Sequence, residues 1–428
     1  WRFAHDKLRD TLIADVPDDV LPKIHRTAAE AIEAVHLDDA GYNEALLRHW
    51  QQVGDFDKTY RYALSIAENM ILITGEYAAA EALLKNLLDN LPFDDARRIA
   101  TLIWLAGSAQ LQGNYDAGKT HAEQAQELAT ALNDVDGLAT SLHNLGNIAY
   151  YQGDYERASD FYEQSVVLRQ QLGDKKGIAA SLSNLGLIAV ALGDYERATD
   201  LHQQSLAIRQ QLGNQQGISI SLNNLAVIAT DLGDYERATD LHQQSLVIKQ
   251  QLDDQAGIAA SFNNLGLIAM DLGDYERATD LYQQSLVIKQ QLGDQQGMAE
   301  SFVNLGRTRQ KQGQAAHHWF RQSLAISLEI QAVPVLLENI VGFVTYFMVQ
   351  GALERAASLA GLVQQHPAAD NVISNYLDEV MPLLEAALSS DELTTALEQG
   401  KSLDLDTVVQ ELLEEFASSD DNRTEDES

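Results

Sequence analysis

Hydrophobic and polar positions repeat along this chain with a period of forty residues. The hexapeptide Gly-Asp-Tyr-Glu-Arg-Ala begins at Gly153, Gly193, Gly233 and Gly273. Within residues 179–217, apolar side chains follow the spacing of one helix face, at Leu182, Leu185, Ile188, Ala189 and Leu192. A period in this range is typical of stacked supersecondary units, so the pattern predicts a repeat architecture.

Each period predicts two helices joined by a tight turn. Gly193 can adopt the left-handed conformation that ends a helix, and Asp194 is a good N-cap for the next one. The second helix is predicted to bury Tyr195, Ala198, Leu201, His202, Ser205, Leu206 and Leu212. Such a hairpin cannot bury its apolar face alone, and it must stack on its neighbours.

The same residues carry a resemblance to the tetratricopeptide repeat family. The family pattern is present as Leu182, Leu185-Gly186, Ala189, Tyr195 and Ala198. The period of forty residues is similar to the longer variant in kinesin light chains and spindle-orientation adaptors. The resemblance implies an all-α fold, an α-α superhelix of helix–turn–helix hairpins, with an array of about six repeats over residues 96–330.

The two ends of the chain depart from this period. Residues 1–95 are expected to form a degenerate helical arm, and residues 331–416 degenerate repeats with helices near 335–349, 352–364, 371–388, 390–397 and 405–416. Residues 417–428 are rich in acidic side chains and are expected to be a disordered tail.

Both ends also carry a resemblance. Residues 3–10 resemble the phrase F-x-H-D-x-x-R-D that begins the helical arm of bacterial STAND-type signalling ATPases. Residues 400–405 resemble the end of ATP-dependent LuxR-type regulators. The resemblance implies that the beginning of the protein, with an ATPase, lies upstream of Trp1, although a generic helical cap remains an alternative for residues 1–95.

Composition narrows the classes of function. The formal net charge is -34 and no Cys is present, so nucleic-acid binding, anionic-membrane binding and thiol or Cys-based zinc chemistry are not expected. No triad or carboxylate pair has a spacing above chance, and we predict neither an enzyme nor a cofactor. Without a secretion signal or an apolar run of spanning length, a cytoplasmic location is expected.

One apparent motif needs a structural interpretation. Residues 113–120 match the phosphate-loop pattern GxxxxGK[ST], which requires a strand before the loop. Here Gly113 aligns with the turn glycine Gly153, which places Gly118 and Lys119 inside a helix. Nucleotide binding is therefore not predicted.

A ligand is expected on the first helix of each repeat, which by resemblance lines the concave groove. An Asn ladder runs through Asn144, Asn184, Asn224, Asn264 and Asn304, and in peptide-binding relatives this Asn bonds the ligand backbone. Variable neighbours would provide selectivity: Asn147 and Tyr151 at one end, Leu187, Asp231 and Asp271 in the middle, Arg307 and Lys311 at the other. Alternatively, the Asn side chains bond neighbouring helices and only stabilise the stack.

The histidines are not expected to bind metal. His202 and His242 align with Tyr162 and Tyr282, so the position requires a ring packed between the two helices of a repeat. His317 and His318 are adjacent and point in different directions. We therefore hypothesise a non-catalytic arm of a signalling ATPase that binds a protein or peptide, with a free-standing adaptor or a small-molecule sensor as alternatives.

Overall fold

The computed structural model describes Pro17, residues 20–36 and residues 39–417. Residues 3–10 and 418–428 lie outside this part of the chain, so the phrase near the start and the acidic tail are not described. Every regular element within the described ranges is a helix, which confirms the all-α fold. Two compact units divide the chain, the first ending at Gly213 and the second beginning at Asn214.

The described part of the first unit contains ten α-helices, a short 3₁₀ turn at Ala40–Tyr42 and a π turn at Met70–Thr74. The α-helices are α1 Leu21–His36, α2 Asn43–Val53, α3 Phe56–Asn69, α4 Tyr77–Asn90, α5 Arg97–Leu111, α6 Tyr115–Leu132, α7 Val135–Tyr151, α8 Tyr155–Leu172, α9 Lys175–Ala191 and α10 Tyr195–Gln211. From α5 onward they form hairpins. We call the first helix of each hairpin helix A and the second helix B.

The second unit continues the hairpins and then leaves the period. Its described helices are α11 Gln215–Asp231, α12 Tyr235–Gln251, α13 Gln255–Asp271, α14 Tyr275–Leu292, α15 Gln295–Lys311, α16 His317–Glu329, α17 Val333–Val349, α18 Leu353–Gln365, α19 Asn371–Ala387, α20 Ser390–Gly400 and α21 Leu405–Glu415. The predicted helices after residue 331 are confirmed within three residues at each end. Phe320, Phe343 and Phe347 belong to the large apolar cluster that joins α15–α21.

Local sequence chemistry sets the helix boundaries. Gly193 has a φ of 75°, and the Asp194 side chain accepts a hydrogen bond from the backbone N–H of Arg197 at 3.1 Å. The other three hexapeptides form the same cap. The predicted turn and N-cap are therefore confirmed.

A ring position joins the two helices of each repeat. The rings of Tyr162, His202, His242 and Tyr282 are at most 1% exposed. A Cβ added to Gly146 would lie 2.7 Å from the Tyr162 ring, so a side chain on helix A would separate the helices. The packing role predicted for His202 and His242 is confirmed.

Serine provides a second link between the helices. The Oγ of Ser205 donates to the Ala179 carbonyl at 2.8 Å, and Ser165, Ser245 and Ser285 repeat the bond. Two predicted core residues are wrong, since Leu192 is 63% exposed and Leu212 is 44% exposed. Each is the C-cap residue before a left-handed glycine, so its side chain lies past the packed part of the helix.

A buried cation near the end of helix B was not predicted. Lys289 is 8% exposed, and its Nζ donates to the Gly297 carbonyl and the Ser301 Oγ at 3.0 Å. Lys249 makes the equivalent bond to Ser261 at 2.9 Å. Burial lowers the pKa of both ammonium groups. These cations tie one repeat to the next helix A.

Candidate functional site

Four residues of the Asn ladder form hydrogen bonds with the preceding helix A. Asn144 donates from Nδ2 to the Ile103 carbonyl at 3.2 Å, and Asn184 donates to Oδ1 of Asn147 at 3.0 Å. In the second unit, Asn264 and Asn304 donate to Oδ1 of the Asn that precedes the ladder position one repeat earlier, at 3.4 and 3.0 Å. These bonds support a role in stacking. Each amide keeps a second N–H and its own oxygen as further hydrogen-bonding groups.

A hollow of about 250 Å³ lies on the helix A face of the first unit. We call it the tyrosine hollow, and it is lined by Gln110, His143, Asn147, Tyr150, Tyr151, Tyr162, Asn184 and Leu187. Four predicted groove residues, Asn147, Tyr151, Asn184 and Leu187, are therefore together in one concavity. Tyr151 is 59% exposed, and its ring stacks on Tyr115 with centroids 6.0 Å apart.

The polar groups beneath this hollow are paired by the chain itself. Tyr162 donates its hydroxyl proton to Oδ1 of Asn147 at 2.6 Å, the same oxygen that accepts from Asn184. His143 Nδ1 lies 3.1 Å from the Ser181 Oγ. Burial lowers the pKa of His143 to about 4, so the imidazole is neutral at neutral pH. The hollow therefore presents aromatic faces and neutral amides to a ligand.

The predicted residues of the second unit are more scattered. Asn224 is half-buried, whereas Asp231 and Asp271 lie at the more exposed ends of α11 and α13. Neighbouring protein atoms partly desolvate both carboxyl groups and raise their pKa. Asn264 lines a separate hollow of about 330 Å³ with Lys289 and Glu300.

Arg307 and Lys311 line a smaller hollow of about 160 Å³ between α15, α17 and α19. We call it the charged hollow, and its polar lining residues are Arg307, Gln310, Lys311, Glu338, Thr345, Tyr376 and Glu379. The Arg307 guanidinium carbon lies 3.2 Å from the centroid of the Tyr376 ring. Lys311 forms an ion pair with Glu379 at 3.0 Å. Helix α19 thus covers the basic end of the predicted groove.

The phosphate-loop match folds as predicted for a helical hairpin. Gly113 lies in the turn with a φ of 73°, and Gly118 and Lys119 lie inside α6. Across the described ranges, no group of three or more His, Asp and Glu side chains is placed to hold a metal ion. None of the helices that the structure describes is long and apolar enough to cross a membrane.

The repeat pattern decides the family. The family model of the tetratricopeptide repeat matches residues 97–171, 177–251 and 257–329, just over half of the chain. The chain belongs to the tetratricopeptide repeat family. The repeat is a protein-interaction scaffold, which is the coarse function of this array. No curated protein sequence matches the chain.

Solved tetratricopeptide repeat structures share the fold. RapI in its apo form superposes with a TM-score of 0.57 at 11% identity, covering 86% of this chain and 98% of that one. A Rap protein complexed with competence and sporulation factor has a TM-score of 0.54 at 13% identity, and the match covers 87% of this chain and 100% of that one. A STAND protein with a tetratricopeptide repeat sensor from Pyrococcus horikoshii has a TM-score of 0.55 at 16% identity, and the match covers 75% of this chain and 49% of that one. The chain spans about half the length of that protein.

Sequence reasoning missed the partners of the basic residues. Tyr376 and Glu379 belong to α19, which lies outside the forty-residue period, and no local pattern connects them to Arg307 and Lys311. The buried cations did leave a signal, because Arg169, Arg209, Lys249 and Lys289 are forty residues apart. A basic residue kept at one position of a packed helix indicates a buried partner.

Proposed function

We propose that the helix A face of this chain binds a protein or peptide segment, with the tyrosine hollow as the principal contact in the first unit. The observation that supports this proposal is the concentration of Asn147, Tyr151, Asn184 and Leu187 around one concavity. An exposed aromatic ring beside a half-buried aliphatic side chain provides a surface on which an apolar ligand side chain can be desolvated.

The amides around the hollow suit a peptide ligand. The Asn147 oxygen already accepts two bonds, so Asn147 offers its N–H groups, whereas Asn184 offers its own oxygen and a second N–H; together they provide the donors and the acceptor that a peptide unit needs. The internal bonds of Asn147 and Asn184 hold these groups in place before a ligand arrives, and this lowers the entropic cost of binding. Each additional bond to a ligand backbone contributes about 0.5–1.5 kcal/mol net.

In this proposal the chain is a non-catalytic sensor or regulatory arm of a larger signalling ATPase in the bacterial cytoplasm. The STAND protein from Pyrococcus horikoshii, which has a tetratricopeptide repeat sensor, supports this role by likeness of fold. Ligand binding would favour one conformational state of the ATPase through different affinities for the two states. Sequencing the DNA upstream of the Trp1 codon tests whether the chain is the arm of an ATPase. The expected result is an open reading frame that encodes a phosphate-loop ATPase.

Peptides selected on the intact chain from a random display library test the binding face. Leu187→Glu places a charge in the tyrosine hollow, and we expect it to weaken the selected peptides at least tenfold in fluorescence anisotropy. Val167→Glu is the matched control, because Val167 is 53% exposed on helix B of the same unit. Equal affinity for Leu187→Glu and the unmodified chain, with loss in Val167→Glu, would move the binding site to the other face.

A further inference from the structure

The charged hollow contains a donor for which the described residues provide no acceptor. Arg307 lines this cavity, and its Nη1 is buried and has no hydrogen-bond partner in the part of the chain that the structure describes. The stacking on Tyr376 fixes the guanidinium plane, so the group is held in place but incompletely bonded. A buried charged donor that lacks an acceptor is destabilising, and such a group in a native structure requires an explanation.

Glu338 lines the same cavity and does not provide the missing acceptor. No hydrogen bond or ion pair of Glu338 is found among the described residues. Burial raises the pKa of its carboxyl to about 7, with Glu300 and Asp370 acting in the same direction and Arg307 opposing them. A large share of molecules therefore hold Glu338 as the neutral acid, which can donate an O–H.

The remaining charges of the cavity leave Arg307 available. Lys311 and Glu379 pair with each other at 3.0 Å, and Gln310 donates from Nε2 to the Gly342 carbonyl at 2.7 Å. The volume of about 160 Å³ corresponds to about five water molecules, which matches one small polar group and excludes a folded segment.

We propose that the charged hollow binds a carboxylate group, which accepts from the Arg307 guanidinium on one side and from the Glu338 carboxylic acid on the other. An ionised acceptor is the partner that a guanidinium binds most strongly, because both the charge and the planar fork are matched. The carboxylate belongs either to a small free acid or to an acidic residue of a peptide. This site is separate from the tyrosine hollow, and its existence does not depend on peptide binding there.

Calorimetric titration of the intact chain tests the site at pH 6, with ionic strength held constant by NaCl. The probes are sodium succinate and a capped Ala-Ala-Glu-Ala-Ala peptide, with the Gln version of the peptide as its control. We expect saturable binding of at least one carboxylate probe, and the responding probe identifies the source of the carboxylate. The absence of saturable heat with both probes would overturn the proposal.

Variants locate the binding to the cavity. Arg307→Gln is expected to weaken the responding probe at least tenfold. Arg309→Gln is the matched control on the same helix, because Arg309 bonds Gln314 at 2.6 Å and does not line the hollow. Equal affinity in Arg307→Gln and the unmodified chain would refute the assignment, and circular dichroism confirms that each variant is folded.

Proton uptake by Glu338 gives a second readout. Affinity is expected to fall about tenfold between pH 6 and pH 8, because a group with a pKa near 7 changes from mostly neutral to mostly ionised over that range. Glu338→Gln keeps a donor at every pH, so this variant is expected to bind at pH 8 as the unmodified chain does at pH 6. A pH dependence that persists unchanged in Glu338→Gln would contradict the role of this carboxyl.

Discussion

The repeat that contains Tyr162 and the repeat that contains Tyr282 have the same ring in the same packing position, yet their hydroxyl groups differ. Tyr162 donates to Asn147 on its own helix A. The residue equivalent to Asn147 is Leu267, whose side chain has no acceptor, and the Tyr282 hydroxyl is buried without a hydrogen-bond partner among the described residues. One position on helix A therefore decides whether the buried ring is satisfied, and the same position lines the tyrosine hollow.

The largest expected effect comes from giving the Tyr162 repeat the leucine that the Tyr282 repeat has beside its ring. Asn147→Leu removes the acceptor of both Tyr162 and Asn184, and we expect a loss of about 2–4 kcal/mol in the free energy of unfolding, because two donors become unpaired. Urea denaturation measures it. Tyr162→Phe in the same chain should recover part of the loss, and an unchanged midpoint in Asn147→Leu would show that the amide is not important for stability.

The close approach of the two helices gives the next effect. Gly146→Ala puts a methyl group 2.7 Å from the Tyr162 ring, and overpacking of this kind costs about 1–3 kcal/mol. A methyl group at Gly186 would lie 2.6 Å from the His202 ring. Gly186→Ala is nevertheless expected to cost less, because Ala226 occupies the equivalent position of the next repeat, which also has a histidine, His242, at the ring position. Thermal unfolding compares the two variants, and a larger loss for Gly186→Ala would contradict this account.

The histidine repeats are expected to respond to acid. Burial lowers the pKa of His202 to about 4, whereas an unfolded imidazole titrates near 6.5. The unfolded state therefore binds more protons between these values, and stability falls as the pH decreases through this window. From pH 7 to pH 5 the loss is about 1–2 kcal/mol for this histidine.

His202→Phe should remove that part of the acid loss, since Phe320 fills the corresponding place against Gly306. Tyr162→Phe is the control, because it removes no histidine and should leave the pH dependence unchanged. Urea midpoints at pH 7 and pH 5 measure both. An equal acid loss in His202→Phe and the unmodified chain would show that His202 does not titrate as stated.

The smallest expected effect comes from the opposite change, in which the Tyr282 repeat receives the asparagine of the Tyr162 repeat. Leu267→Asn gives the Tyr282 hydroxyl an acceptor, and a net gain of about 0.5–1.5 kcal/mol is expected from the new bond, reduced by the apolar contacts that Leu267 makes. Leu267→Ala removes the same contacts without an acceptor and is the matched control. If Leu267→Asn is no more stable than Leu267→Ala, the Tyr282 repeat does not form the hydrogen bond that joins Tyr162 and Asn147.

Local patterns predicted the hairpins, caps and ring positions because these depend on residues within one period. Gly193, Asp194 and His202 could each be interpreted from their near neighbours in sequence. The exposed Leu192 shows the limit, since helical spacing alone does not reveal where packing ends. The covering of Arg307 by Tyr376 could not be predicted, because contacts between distant segments outside the repeat depend on the tertiary fold.

The Asn ladder illustrates a different limit. Its spacing indicated the helix A face but could not separate ligand binding from stacking. Asn184 and Asn304 donate hydrogen bonds to the preceding helix A, which supports a role in stacking, and each amide keeps a second N–H and its own oxygen for a ligand. The proposal of ligand binding depends more on the variable position three residues after each ladder Asn, which is Asn147 in one repeat and Leu187 in the next.

Photo-crosslinking is the most direct test of the claim that helix A is the ligand face. A photoreactive phenylalanine placed at Leu187, and in a second chain at Val167, would be irradiated with a peptide selected on the unmodified chain. The account predicts a crosslink from residue 187, competed by excess unlabelled peptide, and none from residue 167. A competed crosslink from residue 167 alone would contradict it.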